Sequence, residues 1–194
     1  ALDADLLREA NCLFGGGTAM ALRFGEYLDS VDMDFLVSDL GSYRRLRQLL
    51  TGEAGFAGLL RPAGEQFRPA REVRADQYGI RTTLLIDDLP IKFEIVLEGR
   101  IELEAASGKY LVCGVSTLTP LDMATSKLLA NADRWSDDGV FSRDVIDLAM
   151  MSPALPLLRK ALLKAQGAYG ETIARDLERA IERLQYRPNW LERC

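Results

Sequence analysis

The spacing of apolar residues changes once along the chain, and the change divides it into two parts. In the first part, segments in which apolar and polar residues alternate stand between short segments with a helical period. From residue 119 onward the alternation stops, and apolar residues recur at helical spacing. This pattern predicts an α/β (α+β) core over residues 1–118, followed by an α-helical domain over residues 119–194.

The elements expected in the first part are short. Helices are predicted over residues 3–10, 18–28 and 41–50, and strands over residues 31–37, 80–86, 91–97, 101–103 and 110–115. Asp87 and Asp88 can turn the chain, so the second and third of these strands should form a hairpin. Residues 51–74 contain glycines and arginines without a period and are expected to be irregular.

The second part is expected to consist of four helices. They are predicted over residues 120–132, 141–151, 155–166 and 171–185. The start of the first is well defined, because Thr119 can cap a helix and Pro120 suits its first position. Trp135 and Trp190 are expected to pack against other side chains rather than to stack on a base.

Two acidic residues lie on one face of the first clear strand. Asp32 and Asp34 are two residues apart, so in a strand their side chains point the same way. Val31, Met33 and Phe35 then point the other way and are expected to belong to the core. The two carboxylates are close enough along the strand, about 6–7 Å, to act on the same pair of ions.

A third carboxylate and a glycine turn complete the set of candidate groups. Glu94 lies on the polar face of the strand over residues 91–97, beside Lys92. Gly16, Gly17 and Thr18 open the helix that precedes Asp32, and the start of a helix offers free N–H groups to an anion. Carboxylate oxygens suit hard divalent ions, and a two-ion site supports phosphoryl transfer without histidine.

The composition limits which chemistry is open to the chain. Its 194 residues include no histidine, which excludes Ser-His-Asp and Cys-His catalysis and imidazole zinc sites. The three cysteines, Cys12, Cys113 and Cys194, lack the spacing of a zinc site or a disulfide framework and fit a reducing compartment. Cys12 and Cys113 are expected in the core, because each stands in an apolar stretch.

Charge and hydropathy indicate which partners and which compartment to expect. A net charge of −5 gives no global basic field that would attract nucleic acid. The densest basic stretch runs from Arg61 to Arg81 and is either a solvated loop or a ridge for substrate. The sequence shows no apolar run of about 20 residues and no basic-then-apolar leader, so a cytoplasmic protein without a membrane partner is expected.

Each candidate feature also has a plain structural interpretation. Two acids on a strand can form a solvated face, a glycine run can be a simple turn, and Glu94 can be an ion-pair partner of Lys92. A Rossmann site needs a third glycine where Met20 stands, and a P-loop needs a Gly-Lys-Ser/Thr run that is missing here. Phosphatases of the aspartyl-phosphate type expect a threonine where Leu36 follows the acid pair.

The order of these motifs resembles a known superfamily. The run FGGGTAMAL at residues 14–22, followed by SVDMDF at residues 30–35, is similar to the signature of polymerase-beta-type nucleotidyltransferases. Within that superfamily the sequence most resembles the AbiEii/AbiGii toxin family. Lys127, Arg134 and the run RDVIDL at residues 143–148 resemble the pattern of that family's helical half.

The resemblance implies a fold, ligands and roles for single residues. It implies a mixed five-stranded sheet joined to a helical domain, with a nucleoside triphosphate as substrate and Mg²⁺ or Mn²⁺ as cofactor. Gly16, Gly17 and Thr18 would hold the triphosphate. Asp32, Asp34 and Glu94 would hold the metal ions, with Glu94 also orienting or deprotonating the acceptor hydroxyl.

Other implications of the resemblance remain open at this point. Lys127 would reach the phosphates, although its place on a helix also suits an ordinary surface lysine. Arg143, Asp144 and Asp147 are interpreted as an interhelical or capping network. The acceptor could be a transfer RNA, a protein or a small molecule, and a cognate antitoxin could be a partner. The alternative function is a catalytically weak module of the same fold that binds a nucleotide or a partner for regulation.

Overall fold

The computed structural model describes residues 2–61, 67–190 and 192. The chain folds as two compact units, Ala1–Leu118 and Thr119–Cys194, and each unit is taken by itself below. Cys194, one of the three cysteines considered above, lies outside the described residues, and so do residues 62–66 of the stretch expected to be irregular.

The first unit mixes helices and strands. Its helices are α1 (Ala4–Glu9), α2 (Gly16–Arg23) and α3 (Leu40–Thr51), with a 3₁₀ turn at Gly55–Leu59. Its strands are β1 (Leu13–Gly15), β2 (Met33–Val37), β3 (Arg68–Pro69), β4 (Arg74–Ala75), β5 (Gly79–Ile86), β6 (Leu89–Leu97), β7 (Leu111–Val112) and β8 (Val115–Ser116).

Six of the strands form one mixed sheet in the order β1-β2-β6-β5-β3, and β4 also pairs with β5. Strands β2 and β6 run parallel, and the other pairs are antiparallel. The predicted α/β fold class with a mixed sheet is therefore confirmed. The sheet has six strands rather than the implied five, and β7 and β8 form a separate hairpin.

The two faces of the sheet differ as the alternation predicts. Phe35, Phe93 and Ile95 are buried on one face, where the rings of Phe35 and Phe93 lie 5.5 Å apart. The strand residues between them, Asp34 and Glu94, belong to the other face. This alternation places the core on one side of the sheet and the carboxylates on the opposite side.

Several expected boundaries differ from the structure. Val31 was expected in the core but is 64% exposed, because β2 begins only at Met33. Helix α2 begins two residues before the predicted start and ends at Arg23 instead of extending to residue 28. Strand β1 had no alternation by which it could be recognised, since its three residues are all buried.

The segment before residue 118 also differs from the prediction. Residues 101–103 form no strand, and the expected strand over residues 110–115 is the tight hairpin of β7 and β8. Cys113 lies in its turn with φ 49° and is exposed, so its expected place in the core is wrong. Cys12 is buried as expected, and burial raises the pKa of its thiol.

The second unit contains four helices, as predicted. They are α4 (Pro120–Arg134), α5 (Arg143–Met151), α6 (Leu155–Tyr169) and α7 (Thr172–Tyr186). Thr119 caps α4 by accepting a hydrogen bond from the Asp122 N–H, as its position before Pro120 predicts. Trp190 is buried, and its ring stacks on Phe141 at 6.0 Å. Among the described residues, no helix has both the length and the apolarity that crossing a bilayer requires.

Candidate functional site

Charged residues meet at one level of the sheet in the first unit. In the strand register, Gly15 of β1 lies opposite Asp34 of β2, and Asp34 lies beside Glu94 of β6. Glu94 in turn lies opposite Arg81 of β5, which lies opposite Arg74 of β4. Paired residues of neighbouring strands project to the same face, so the two carboxylates are adjacent.

The hairpin of β5 and β6 fixes the position of Glu94. Asp87 and Asp88 form its two-residue turn with φ of 49° and 63°, the left-handed conformation that such a turn requires. A two-residue turn sets the register of the whole hairpin, which brings Arg81 opposite Glu94. The position of the third carboxylate thus follows from the local turn.

The start of helix α2 lies directly against Asp34. Gly16, its first residue, has φ +69°, and a Cβ atom placed on it would collide with Oδ2 of Asp34. Gly15 precedes the helix without a side-chain cap among the described residues. The first turn of α2, with its free N–H groups, therefore lies beside the carboxylate of Asp34. Only glycine at residue 16 leaves room for this approach.

The other two residues of the predicted phosphate loop lie in the first turn of α2. Gly17 has open space beside it, because a Cβ atom added there would meet Oγ of Ser30 at 3.6 Å as its nearest neighbour. Thr18 is buried, and its hydroxyl lies 2.7 Å from that of Ser30. This hydrogen bond ties the helix start to the segment that leads into Asp32.

The ammonium group of Lys92 lies near carboxylates on two strands. Its Nζ atom lies 2.5 Å from Oε2 of Glu94 and 3.8 Å from Oδ1 of Asp34. Burial alone would lower the pKa of Lys92, but Glu94, Asp34 and Asp32 together raise it above its usual value. Asp32, which directly precedes β2, therefore lies within electrostatic reach of the same ammonium group.

Glu94 has a second basic partner on its other side. Nε of Arg81 lies 2.5 Å from Oε1 of Glu94, and its Nη1 lies 3.1 Å from Oδ2 of Asp76. Burial raises the pKa of Glu94, but the hydrogen bonds from Lys92 and Arg81 outweigh that effect and hold the pKa below its usual value. Glu94 is therefore ionised at neutral pH.

The donor set fits a hard divalent ion in its chemistry. Asp32, Asp34 and Glu94 offer only carboxylate oxygens, which Mg²⁺ and Mn²⁺ prefer, and a lysine ammonium already lies among them as a cation. As they stand, no three acidic or cysteine side chains of the described residues are close enough to hold a metal ion. Binding an ion would thus require Lys92 to withdraw and the side chains to close.

Lys127, the predicted phosphate ligand of the second unit, lies in a buried ionic network. Its ammonium pairs with Asp147 and lies 3.3 Å from Oδ1 of Asp144, and Arg134 contacts the other oxygen of Asp144 at 2.7 Å. The prediction that Asp144 and Asp147 belong to an interhelical network is confirmed. The role implied for Lys127 in binding phosphate stays a prediction, and it would require the ammonium to leave both aspartates.

Arg81 is a member of the site that the sequence interpretation missed. It was interpreted only as the last residue of the basic stretch from Arg61 to Arg81, although it falls in the strand predicted over residues 80–86. It lies in β5, and its guanidinium contacts Glu94. A signal was present, because a two-residue turn at Asp87 and Asp88 pairs residue 81 with residue 94 by counting outward. The ion pair of Lys92 and Glu94, considered as an alternative, is present.

Two solved structures from Helicobacter pylori are similar to this chain. One is the crystal structure of a protein described as a candidate nucleotidyltransferase, 15% identical, with a TM-score of 0.37 over 91% of this chain and 92% of that chain. The other is the crystal structure of JHP933, 17% identical, with a TM-score of 0.38 over 94% of this chain and 91% of that chain. No curated protein matches the chain.

The sequence as a whole matches one protein family. The family is described as the nucleotidyl transferase AbiEii toxin of a type IV toxin-antitoxin system, and its model matches residues 1–193. The match includes the glycine turn at Gly16, the acid pair of Asp32 and Asp34, and the network around Lys127. The chain belongs to the AbiEii nucleotidyltransferase toxin family.

Proposed function

We propose that the protein transfers a nucleotide from a nucleoside triphosphate to an acceptor hydroxyl in a reaction that depends on Mg²⁺ or Mn²⁺. One observation carries the proposal: Asp34 and Glu94 are neighbours in register, and the start of helix α2 lies against Asp34. Carboxylates of the kind that bind divalent ions are therefore adjacent to a helix start of the kind that binds anions, which supports the proposal.

Asp32, Asp34 and Glu94 would hold the metal ions. When bound, such ions neutralise charge on the reacting phosphate and activate the attacking oxygen. The carboxylates supply the negative charge that attracts the ions. In the absence of ions, the positive charges of Lys92 and Arg81 offset the negative charge of the carboxylates, which would otherwise destabilise the protein.

Gly16, Gly17 and Thr18 would bind the triphosphate through their backbone N–H groups. These groups are at the positive end of α2, and the missing side chain at residue 16 lets the carboxylate of Asp34 lie against the start of this helix. The oxygen of the acceptor hydroxyl would then attack the α-phosphorus and release its proton to water. The bond from that phosphorus to the bridging oxygen would break, and pyrophosphate would leave.

The pKa of Glu94 favours one of its two proposed roles. A general base works best when its pKa is near the working pH, whereas Lys92 and Arg81 hold the pKa of Glu94 below its usual value. A carboxylate that stays ionised is a good ligand and a weak proton acceptor. We therefore assign Glu94 to ion binding and to orienting the acceptor.

The proposal is tested by following label from each of the four α-³²P-labelled nucleoside triphosphates into an Mg²⁺-supplemented cell extract. One class of acceptor should acquire label, and EDTA should prevent it. Asp34→Asn should reduce labelling by about a hundredfold or more, because bound ions stabilise several kcal/mol of transition-state charge.

A matched control uses an aspartate outside the site. Asp39 is exposed and caps helix α3, a task that asparagine performs equally well. Asp39→Asn should therefore label as the wild type does. Equal labelling by Asp34→Asn and wild type, with both folded by circular dichroism, would refute a metal-dependent transferase at this site.

The alternative function, a weakly catalytic binding module, is favoured by one observation. Glu94 is already paired with Lys92 and Arg81, so its charge is balanced by the protein itself. A binding module would keep its partner in Asp32→Ala and Asp34→Ala variants. The labelling experiment separates the two functions, because only the transferase loses activity in those variants.

The acceptor and the partner are further parts of the proposal. A transfer RNA, a protein and a small molecule remain the candidate acceptors, and the class that acquires label identifies which is used. The family is one of toxins from type IV toxin-antitoxin systems, so we propose that a cognate antitoxin exists. Co-expression of the antitoxin should restore the growth of cells that the wild-type toxin arrests. Cells that express Asp34→Asn should grow without the antitoxin.

A further inference from the structure

Lys92 occupies a distinct place among the charged groups of the site. Its ammonium contacts Glu94 on its own strand at 2.5 Å and Asp34 on the neighbouring strand at 3.8 Å. Its side chain is 51% exposed, whereas those of Asp34 and Glu94 are 26% and 13% exposed. The lysine can therefore swing into solvent, while the two carboxylates are held by the sheet.

The sheet brings like charges together at this point. Asp34 and Glu94 are register partners of the parallel strands β2 and β6, and like charges in such positions repel each other. Repulsion in a partly buried place is weakly screened by water. A cation that contacts both carboxylates removes this cost.

Arg81 does not perform the same task. It lies on the far side of Glu94, on β5, and divides its contacts between Glu94 and Asp76. Strand β6 stands between Arg81 and the strand that carries Asp34. Lys92 is thus the basic residue whose ammonium bridges β2 and β6.

We propose that Lys92 is the resident counter-ion of the site, which holds Asp34 and Glu94 together in the metal-free protein and competes with divalent ions for them. The inference rests on the proposed metal site. An ammonium group and a metal ion beside the same carboxylate oxygens repel each other, so each weakens the binding of the other. Lys92 therefore sets how much Mg²⁺ or Mn²⁺ is needed to load the site, and acts as a positioning residue for the two acids.

The test measures ion binding rather than activity. Mn²⁺ is titrated calorimetrically into the nucleotide-free protein, and the thermal midpoint is recorded in EDTA and in saturating Mn²⁺. Lys92→Met should lower the Kd for Mn²⁺ by about fivefold or more, since it removes a positive charge about 4 Å from a ligand oxygen. The thermal midpoint of Lys92→Met in EDTA should be lower than that of the wild type. Saturating Mn²⁺ should raise the midpoint of Lys92→Met by more than it raises that of the wild type.

Three variants complete the comparison. Lys92→Arg keeps the positive charge and should bind Mn²⁺ as the wild type does. Lys109→Met removes an exposed lysine of the same unit, whose ammonium lies over Tyr110, and should leave the affinity unchanged. Lys92→Gln keeps a polar chain and takes the place of Lys92→Met if the latter does not fold.

The outcomes separate this inference from the proposed function. If Asp34→Asn loses Mn²⁺ binding while Lys92→Met and Lys92→Gln bind no more tightly than the wild type, the role of Lys92 is overturned and the metal site stands. If Asp34→Asn binds Mn²⁺ as the wild type does, the metal site fails, and the inference that rests on it fails too.

Discussion

Gly16 shows how much a single residue determines at this site. Its positive φ is unfavourable for a residue with a Cβ atom, and its contact with Asp34 leaves no room for one. Gly17, the next residue, has neither restriction, because its φ is not left-handed and its nearest neighbour is at an ordinary distance. Two adjacent glycines therefore have different reasons to be there.

Gly16→Ala should lower the free energy of unfolding by about 1–3 kcal/mol, because alanine at a left-handed φ is strained and its methyl group meets the carboxylate. Urea denaturation followed by circular dichroism measures the change. Gly17→Ala is the matched control and should be neutral or stabilising by up to about 1 kcal/mol, since alanine favours a helix. Equal losses in both variants would contradict this account.

Single residues were predicted where a pattern constrained them and missed where it did not. The alternation of strands β2 and β6 placed Asp34 and Glu94 on one face of the sheet and the core residues Phe35 and Phe93 on the other face. Alternation continues past the end of a strand, however, so it gave no sign that Val31 would be exposed. The apolar neighbours of Cys113 likewise concealed that it lies in a turn.

At the scale of an element, helix α3 depends on one exposed aspartate. Oδ1 of Asp39 accepts a hydrogen bond from the Ser42 N–H at 2.6 Å. This backbone bond, together with the Ser42 hydroxyl, holds the pKa of Asp39 below its usual value. A carboxyl with a lowered pKa stabilises the fold above its unfolded pKa, near 3.9, and loses that effect as the pH falls through its folded pKa.

Asp39→Ala should therefore lower the thermal midpoint by a few degrees at pH 7, because it removes the helix cap. The gap to the wild type should narrow as the pH falls below about 4 and through the folded pKa of Asp39, because a protonated carboxyl accepts the hydrogen bond more weakly than a carboxylate. Scanning calorimetry between pH 3 and 7 measures both effects. Asp39→Asn should retain the midpoint at pH 7, and a gap that widens in acid would argue against the cap.

Helices and strands were predictable where they are long enough to show a period or are bounded by a recognisable turn. The hairpin of β5 and β6 followed from two alternating segments and an Asp-Asp turn, so even its register could be counted from Asp87 and Asp88. The two-residue strands β3, β4, β7 and β8 are too short to show a period. The parallel pairing of β2 with β6 joins distant segments, and no local pattern encodes such a contact.

At the scale of the whole molecule, charged groups are paired in both units. In the first unit the half-exposed Lys92 and Arg81 pair with Glu94, whereas in the second unit Lys127, Asp144 and Asp147 form a buried network. The Lys127 side chain is only 9% exposed. Loss of its charge would leave two buried aspartates without their shared partner, which is costly.

Lys127→Met should thus destabilise the helical unit by about 3 kcal/mol or more. Hydrogen exchange read by mass spectrometry should show lost protection in α4 and α5. Lys160→Met removes an exposed lysine of the same unit and should change the free energy of unfolding by less than about 0.5 kcal/mol. Unchanged protection in Lys127→Met would mean that the network contributes little to stability.

The fold class was predictable for the whole chain because strand and helix periods both occur in the first part of the sequence, whereas helical spacing alone occurs in the second. The number of strands in the sheet and the pairing of its charges were not predictable, since both depend on contacts between segments distant in sequence. The resemblance supplied the family, and the structure supplied the neighbours of each acid. That Glu94 is flanked by both Lys92 and Arg81 follows from the structure and not from the resemblance.

The pairing of β2 with β6 has a consequence during protein synthesis. Asp34 leaves the ribosome about sixty residues before Glu94, and a chain that ends ahead of β6 has no strand to complete the acidic pair. On the proposed function, a truncated or stalled product of this length lacks a metal ligand and is harmless to the cell that makes it. Translation must proceed past Leu97 before a nascent chain can acquire the means to damage its own host.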